Sequence, residues 1–323
     1  MREILEADKQ KNLLDIQEGF YSSSSRPGHA DRYDLLSINF ESFLNASAPL
    51  TQRKAELIRR LLKEFLDDLP ANYNNIVRLI LLPDQKKFQI YNSVNVCLLS
   101  LLIGWTLNYS REELLEMGFA ALMHDIGMFA MEGLIYTNET FGQEQREDIR
   151  QHPVHGVRMI DRFTEVTSDL EQAILQEHER EDGSGYPTGM NGKHIHEFAK
   201  IIAIADCFEA LTHYRPYRKS CSPYEAMQTI LRISKSQLDA RLTNNLVNVL
   251  SFFPPGTCLR LADGAIGFVT AIHEGAPLSP VISIYYDQEG RELRGKKVVD
   301  LQKEKDNHVV RVISLEPSSH LNH

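Results

Sequence analysis

From about residue 84 to residue 250 the apolar positions recur three and four apart, the spacing of helices that each bury one stripe. Ser110 with Glu113 forms a capping box ahead of an apolar stripe of Leu114, Leu115, Phe119 and Leu122. Thr140 with Gln143 is a second box-like start, and the helix it opens is predicted to run to His152, because the residue before Pro153 is steered out of the α region. Leu170, Ile174, Leu175 and His178 share a face, as do Ile195, Phe198, Ile201, Ile202, Ala205 and Asp206. These stripes predict a helical bundle. From about Phe252 the period changes to two. "GTCLRLADGAIGFVTAI" alternates around Asp263-Gly264 and "VISIYYDQEGREL" around Glu289-Gly290, each a hairpin signal. The expected fold is mainly α, with a small antiparallel β appendage over 251–304 and a polar tail over 305–323, where His320 and His323 are expected to be disordered.

Residues 1–83 carry less pattern. Ser22–Ser25 before Arg26-Pro27-Gly28 reads as a loop. Residues 51–69 place Ala55, Leu57, Ile58, Leu61, Leu62, Phe65, Leu66 and Leu69 at helical spacing, and Pro70 and Pro83 bracket the next segment. Residues 1–83 are expected to be a separate N-terminal domain with a regulatory or sensory role and a surface for a protein partner.

Composition narrows the classes. The chain has 323 residues, 42% hydrophobic and 24% charged, as in soluble globular proteins. A net charge of −9 argues against a surface for duplex nucleic acid, so an anionic substrate would need local positive charge. Cys97, Cys207, Cys221 and Cys258 show no framework spacing and are expected to be reduced thiols of a cytoplasmic protein. Val96–Trp105, the most apolar run, is too short to span a bilayer, and no signal peptide is visible.

The candidate chemistry lies in the bundle. His124-Asp125 ends the helix that starts at Ser110, and His152 lies 27 residues beyond Asp125. Glu177-His178 comes next, and Asp206 lies 28 residues beyond His178. Each interval is about one helix and one turn, so successive helices can deliver ligands to one point. Imidazole and carboxylate without thiolate suit iron, manganese or zinc. A carboxylate beside a histidine can bridge two cations, and two cations can share one hydroxide and hold a phosphoryl centre. Each residue also has an ordinary reading: a His-Asp pair at a helix end, a satisfied core histidine, a flexible turn at "EHEREDGSGYPTG". Asp206 on an apolar face resists it, since a buried aspartate needs a partner. His155, His194, His196 and His213 are expected to be surface or helix-end histidines.

His124-Asp125-Ile126-Gly127, His152-Pro153 with Gly156, His178-Glu179, Asp182-Gly183-Ser184-Gly185-Tyr186-Pro187, Ala205-Asp206, Ala210-Leu211 and Arg215-Pro216-Tyr217-Arg218 together resemble the HD-GYP family, a branch of the HD-domain metal-dependent phosphohydrolases. The resemblance covers roughly residues 86–250 and extends to the C-terminal β appendage. It implies a bacterial cytoplasmic signalling enzyme, a phosphodiesterase that hydrolyses cyclic di-GMP or a related dinucleotide to the linear form through a hydroxide bridging a binuclear metal centre, iron first, with manganese or zinc as alternatives. The matching ligands are His124, Asp125, His152, His178 and Asp206, and Glu177 stands where the family has a second histidine. His124 and Asp125 are the matched catalytic positions. Arg215, Arg218, Tyr186, Gly183 and Gly185 match substrate positions, and Glu179 and Asp182 would back up the ligands. Three positions depart: Asn92 replaces a family histidine, Met128 a family lysine, and Glu177 a family histidine. Low activity is therefore expected. The alternative is a degenerate relative that binds metal and the dinucleotide and signals through protein contacts; a third reading is hydrolysis of another nucleotide.

Overall fold

The computed structural model describes residues 7–21, 30–44, 51–82, 88–131, 142–213, 220–304 and 306–315. Three helices precede the bundle, α1 (Ala7–Tyr21), α2 (Ala30–Leu44) and α3 (Gln52–Ile80). Thr51 caps α3 by accepting from the Lys54 amide. The expected break at Pro70 is not there. α3 continues through it with a kink at Asn72 (φ −125°, ψ 16°), where proline has removed a hydrogen bond and crowded the preceding turn. Burial on both sides of the kink, by Leu66 and Leu69 before it and Tyr73, Ile76 and Val77 after it, keeps the helix in one line of packing. The boundary expected at residue 83 falls between α3 and α4, and the buried side chains of α2 and α3 belong to the same cluster as those of the bundle.

The bundle comprises α4 (Phe88–Thr106), α5 (Arg111–Met123), a 3₁₀ segment (Ile126–Met131), α6 (Gln143–Ile149), α7 (His152–Ile160), α8 (Ser168–Gln176), α9 (Glu197–Thr212), α10 (Pro223–Ile233) and α11 (Ala240–Leu250). The Ser110–Glu113 capping box forms as expected. Thr140 lies outside the described residues, and α6 is opened by Gly142, whose amide donates to the Gln145 side chain. α6 ends at Ile149, so His152 begins a helix rather than ending one, and Pro153 sits in the first turn, where its missing N–H has no partner to lose. α4, which contains Val96–Trp105, is the buried central helix, flanked by α5 and α9. No described helix is long and apolar enough to cross a membrane.

The C-terminal strands β1 (Cys258–Leu261), β2 (Ile266–Ala271), β3 (Val281–Tyr286), β4 (Glu292–Asp300) and β5 (Val309–Val312) form one antiparallel sheet in the order β4-β3-β2-β1-β5. Both predicted turns form, with Gly264 at φ +94° and Gly290 at φ +78°. The polar tail expected from residue 305 is corrected by β5, which pairs with β1; four residues matched to a strand nearly fifty positions away leave little local signal. α1 packs on this sheet through Leu13, which joins Cys258, Ile266, Phe268, Tyr286 and Ile313 in a second core. The predicted loop at 22–28 and His320 and His323 lie outside the described residues.

Candidate metal centre

His124 is the C-terminal cap of α5 and is fully buried. Its Nδ1 donates to the Ala121 carbonyl at 2.7 Å, and His152 Nδ1 donates to the Ile149 carbonyl at 2.8 Å. On both rings a backbone carbonyl three residues back takes up the Nδ1–H and turns Nε2 towards the carboxylates, where it is the nitrogen available to a metal once deprotonated. Asp125 lies between them, with Oδ2 3.3 Å from His124 Nε2 and Oδ1 3.3 Å from His152 Nε2. Glu177 caps α8, so the helix end turns its side chain inward. Glu177 Oε1 is 3.7 Å from His152 Nε2 and 3.8 Å from His178 Nε2, and Oε2 is 3.9 Å from His124 Nε2. Ligand atoms of Asp125, His152, Glu177 and His178 all lie within 4.8 Å of one another.

The donor set fits a cation. Both Glu177 oxygens and His124 Nε2 are buried with no hydrogen-bond partner. His152 Nε2 and His178 Nε2 face each other at 3.1 Å. A buried carboxylate without donors is costly, and one positive charge beside it relieves that cost. The electrostatics agree. Burial disfavours charge on His124 and His152, but the Glu177 and Asp125 carboxylates outweigh it and hold both rings above the usual histidine range. Burial likewise opposes charge on Asp125, and the surrounding imidazoles, His124 foremost, outweigh it and lower its carboxyl. For His178, burial and the nearby His152 act together and push it down to about 3, leaving a neutral ring suited to coordination.

Asp206, on α9, is outside this four-residue group but acts electrostatically on His124 and His178. Its Oδ1 accepts from Asn92 Nδ2 at 3.2 Å, and the same nitrogen donates to Glu209 Oε2 at 2.6 Å. Asn92, the departure on α4, thus holds two carboxylates with one amide. Glu209 continues to His213, which lies near Leu82 and Asn95, and Asn95 accepts from the Tyr33 hydroxyl of α2 at 2.7 Å. Asn95 and Glu209 escape the sequence reading, and His213, expected as an ordinary helix-end histidine, is a buried member of this network. A buried glutamate three residues past Asp206, hence on the same helix side, is the available signal.

Two glycines have packing reasons. A side chain at Gly127 would place its Cβ 1.9 Å from the His152 carbonyl, so the 3₁₀ segment touches α7 backbone to backbone and fixes His152 relative to Asp125. At Gly185 the Cβ would lie 2.4 Å from Glu179 Cα, so the glycine lets the loop fold back on the end of its own helix. Gly183 serves the same loop through φ +77°. Glu179 is the loop's clamp. Its buried carboxylate accepts from the Thr188 amide and hydroxyl, both at 2.7 Å, and from the Gly189 and Met190 amides at 3.1 Å. Asp182 closes the turn by accepting from Ser184. Both acidic residues, expected to back up the ligands, bond to the loop instead. What they position is Tyr186, whose ring stacks on His178 at 4.6 Å. Arg215 and Arg218 lie outside the described residues.

The family described as "HD domain" matches residues 77–242. The chain belongs to the HD-domain family. A second family, described as "KOW domain associated with HD domain", matches residues 258–320, which include the five-stranded sheet. Among curated proteins, a cyclic di-GMP phosphodiesterase of Pseudomonas aeruginosa is 27% identical over 265 residues, 79% of this chain and 62% of that protein. Cyclic di-GMP phosphodiesterases of Borreliella burgdorferi and Thermotoga maritima are 25% and 27% identical over 61% and 60% of this chain, and 52% and 54% of their own lengths. This HD-domain chain therefore spans between about half and three fifths of the relatives it matches. A solved HDG"Y"P protein of Bdellovibrio bacteriovorus has the same fold, with a TM-score of 0.58, 16% identity and coverage of 75% of this chain and 79% of that one. The HD-GYP resemblance of the sequence is borne out.

Proposed function

We propose that this HD-domain protein is a metal-dependent phosphodiesterase that opens cyclic di-GMP, or a related cyclic dinucleotide, to the linear dinucleotide. The observation that carries the reading is Glu177, a fully buried carboxylate with no hydrogen bond at the convergence of three imidazoles and Asp125. The substrate class comes from relatives named for cyclic di-GMP, and from one of Vibrio cholerae named for 3'3'-cGAMP that is 35% identical over 39% of this chain and 30% of its own length. When bound, a pair of divalent transition ions supplies Lewis-acid stabilisation of phosphoryl charge and an activated water. His124, Asp125, His152, Glu177, His178 and Asp206 would hold that pair. Asp125, placed between two imidazoles with one oxygen towards each, would be the carboxylate best placed to serve both ions. Tyr186 stacks beside His178 and the loop clamped by Glu179 keeps it there, while Arg215 and Arg218, outside the described residues, would bind substrate phosphates. Such an enzyme would work in the bacterial cytoplasm, with residues 1–83 as its regulatory and partner-binding part.

A second reading has a specific observation behind it. Asn92 joins Asp206 and Glu209 by hydrogen bonds, and Met128 brings no cation, as in a metal- and nucleotide-binding protein that signals through contacts. The two separate in one assay. Protein loaded with iron or manganese is incubated with cyclic di-GMP and with 3'3'-cGAMP, and linear product is followed by chromatography. Turnover that disappears with chelation supports the enzyme. Full metal content and dinucleotide binding without product would establish the second reading.

A further inference from the structure

We propose that Arg150 is a phosphate-binding residue of this site and recognises the anionic backbone of the dinucleotide; the inference rests on the function proposed above. Arg150 caps the C-terminal end of α6, two residues before His152, and is exposed. Its guanidinium carbon lies 5.5 Å over the ring of Tyr186. The same ring stacks on His178 at 4.6 Å and meets His152 edge-on with centroids 6.2 Å apart. A single aromatic side chain therefore connects the exposed cation to two of the proposed ligands.

Two of the other described cations near the loop, Arg180 and Lys200, are committed elsewhere, and a third, Lys193, is exposed. Arg180 Nη1 donates to the carbonyls of Glu177 at 3.1 Å and Glu179 at 2.9 Å, which ties it to the helix end. Lys200 Nζ lies 2.9 Å from Glu181 and 3.5 Å from Asp239. No carboxylate among the described residues pairs with Arg150. A guanidinium attracted to an aromatic face without an ion-pair partner keeps N–H donors available, and their fork matches two oxygens of one phosphate. Position 128 carries methionine, so the 3₁₀ segment contributes no charge of this kind. With a chain net charge of −9 and carboxylates within the ligand cluster, an arginine beside it that has no carboxylate partner among the described residues is suited to draw in a phosphodiester.

The test uses the full-length, metal-loaded protein and its Arg150→Ala and Arg150→Lys variants. Equilibrium binding of cyclic di-GMP is measured beside metal content, melting temperature and hydrolysis of bis(4-nitrophenyl) phosphate, a phosphodiester without bases. Arg150→Ala is expected to weaken dinucleotide binding about ten- to a hundredfold, the range of one charge-assisted bond, with unchanged metal content and melting temperature. Arg150→Lys should recover part of the loss, since it restores charge but not the planar fork. Binding by Arg150→Ala within about twofold of the parent overturns the proposal, as does a loss accompanied by a lower melting temperature or metal content, which would make Arg150 a prop for Tyr186. If the parent binds neither the dinucleotide nor the simple diester, the proposed function falls and takes the inference with it; if the parent binds and the variant equals it, only the role of Arg150 falls.

Discussion

Glu177→Gln should move the stability of the metal-free and metal-loaded proteins in opposite directions. The substitution keeps the shape of a side chain that is fully buried with no hydrogen-bond partner, removes its charge and turns one acceptor oxygen into an N–H donor. An unsatisfied buried polar group costs about 1–3 kcal/mol, and more when charged. Without metal, and at a pH where the His124 and His152 rings that Glu177 favours as cations are neutral, the glutamine variant should therefore be no less stable than the parent, and up to about 3 kcal/mol more stable. With metal the order reverses. At a metal concentration of about one hundred times the dissociation constant, binding stabilises the parent by about 2.7 kcal/mol. A neutral amide in place of the carboxylate is expected to weaken binding about a hundredfold, and the stabilisation at that concentration then falls to about 0.4 kcal/mol. In melting temperature, a parent shift of roughly 4 °C shrinks to below about 1 °C. Differential scanning fluorimetry of chelator-treated protein titrated with manganese reads both quantities, and elemental analysis confirms the loss of metal. A glutamine variant that is less stable without metal and keeps the parent's metal-induced shift would refute the reasoning, because Glu177 would then be a structural acceptor.

Two further substitutions test the supports of the site. Gly127→Ala sets a methyl group against the His152 carbonyl, so the 3₁₀ segment must move off α7; a loss of about 1–3 kcal/mol in denaturant unfolding, with weaker metal binding, is expected. Glu179→Gln exchanges an acceptor of four loop hydrogen bonds for an amide that opposes the donors facing it, so proteolysis within 183–192 should quicken and dinucleotide affinity fall while metal content holds.

Features that depend on neighbours within a few residues are legible in the sequence. The Ser110–Glu113 box closes over three positions, and the Asp263-Gly264 and Glu289-Gly290 turns are made by the turn residues themselves. His124, Asp125, His152, Glu177, His178 and Asp206 are identifiable because their chemistry is rare on apolar helix faces and their spacing follows the helices. Two local rules mislead. Proline at 70 and at 153 reads locally as a stop, yet burial on both sides carries α3 through the first, and the second falls in a first turn that has no use for its N–H. What tertiary structure alone decides is the choice of partners. Asn92 reaches Glu209 across 117 residues and β5 finds β1 across some fifty, and neither pairing leaves a periodic trace. Glu179 is the sharpest case. Its neighbour His178 faces the other ligands while Glu179 faces the loop, and only the fold, by bringing residues 188–190 back over the helix end, determines which acidic side chain meets imidazoles and which meets amides.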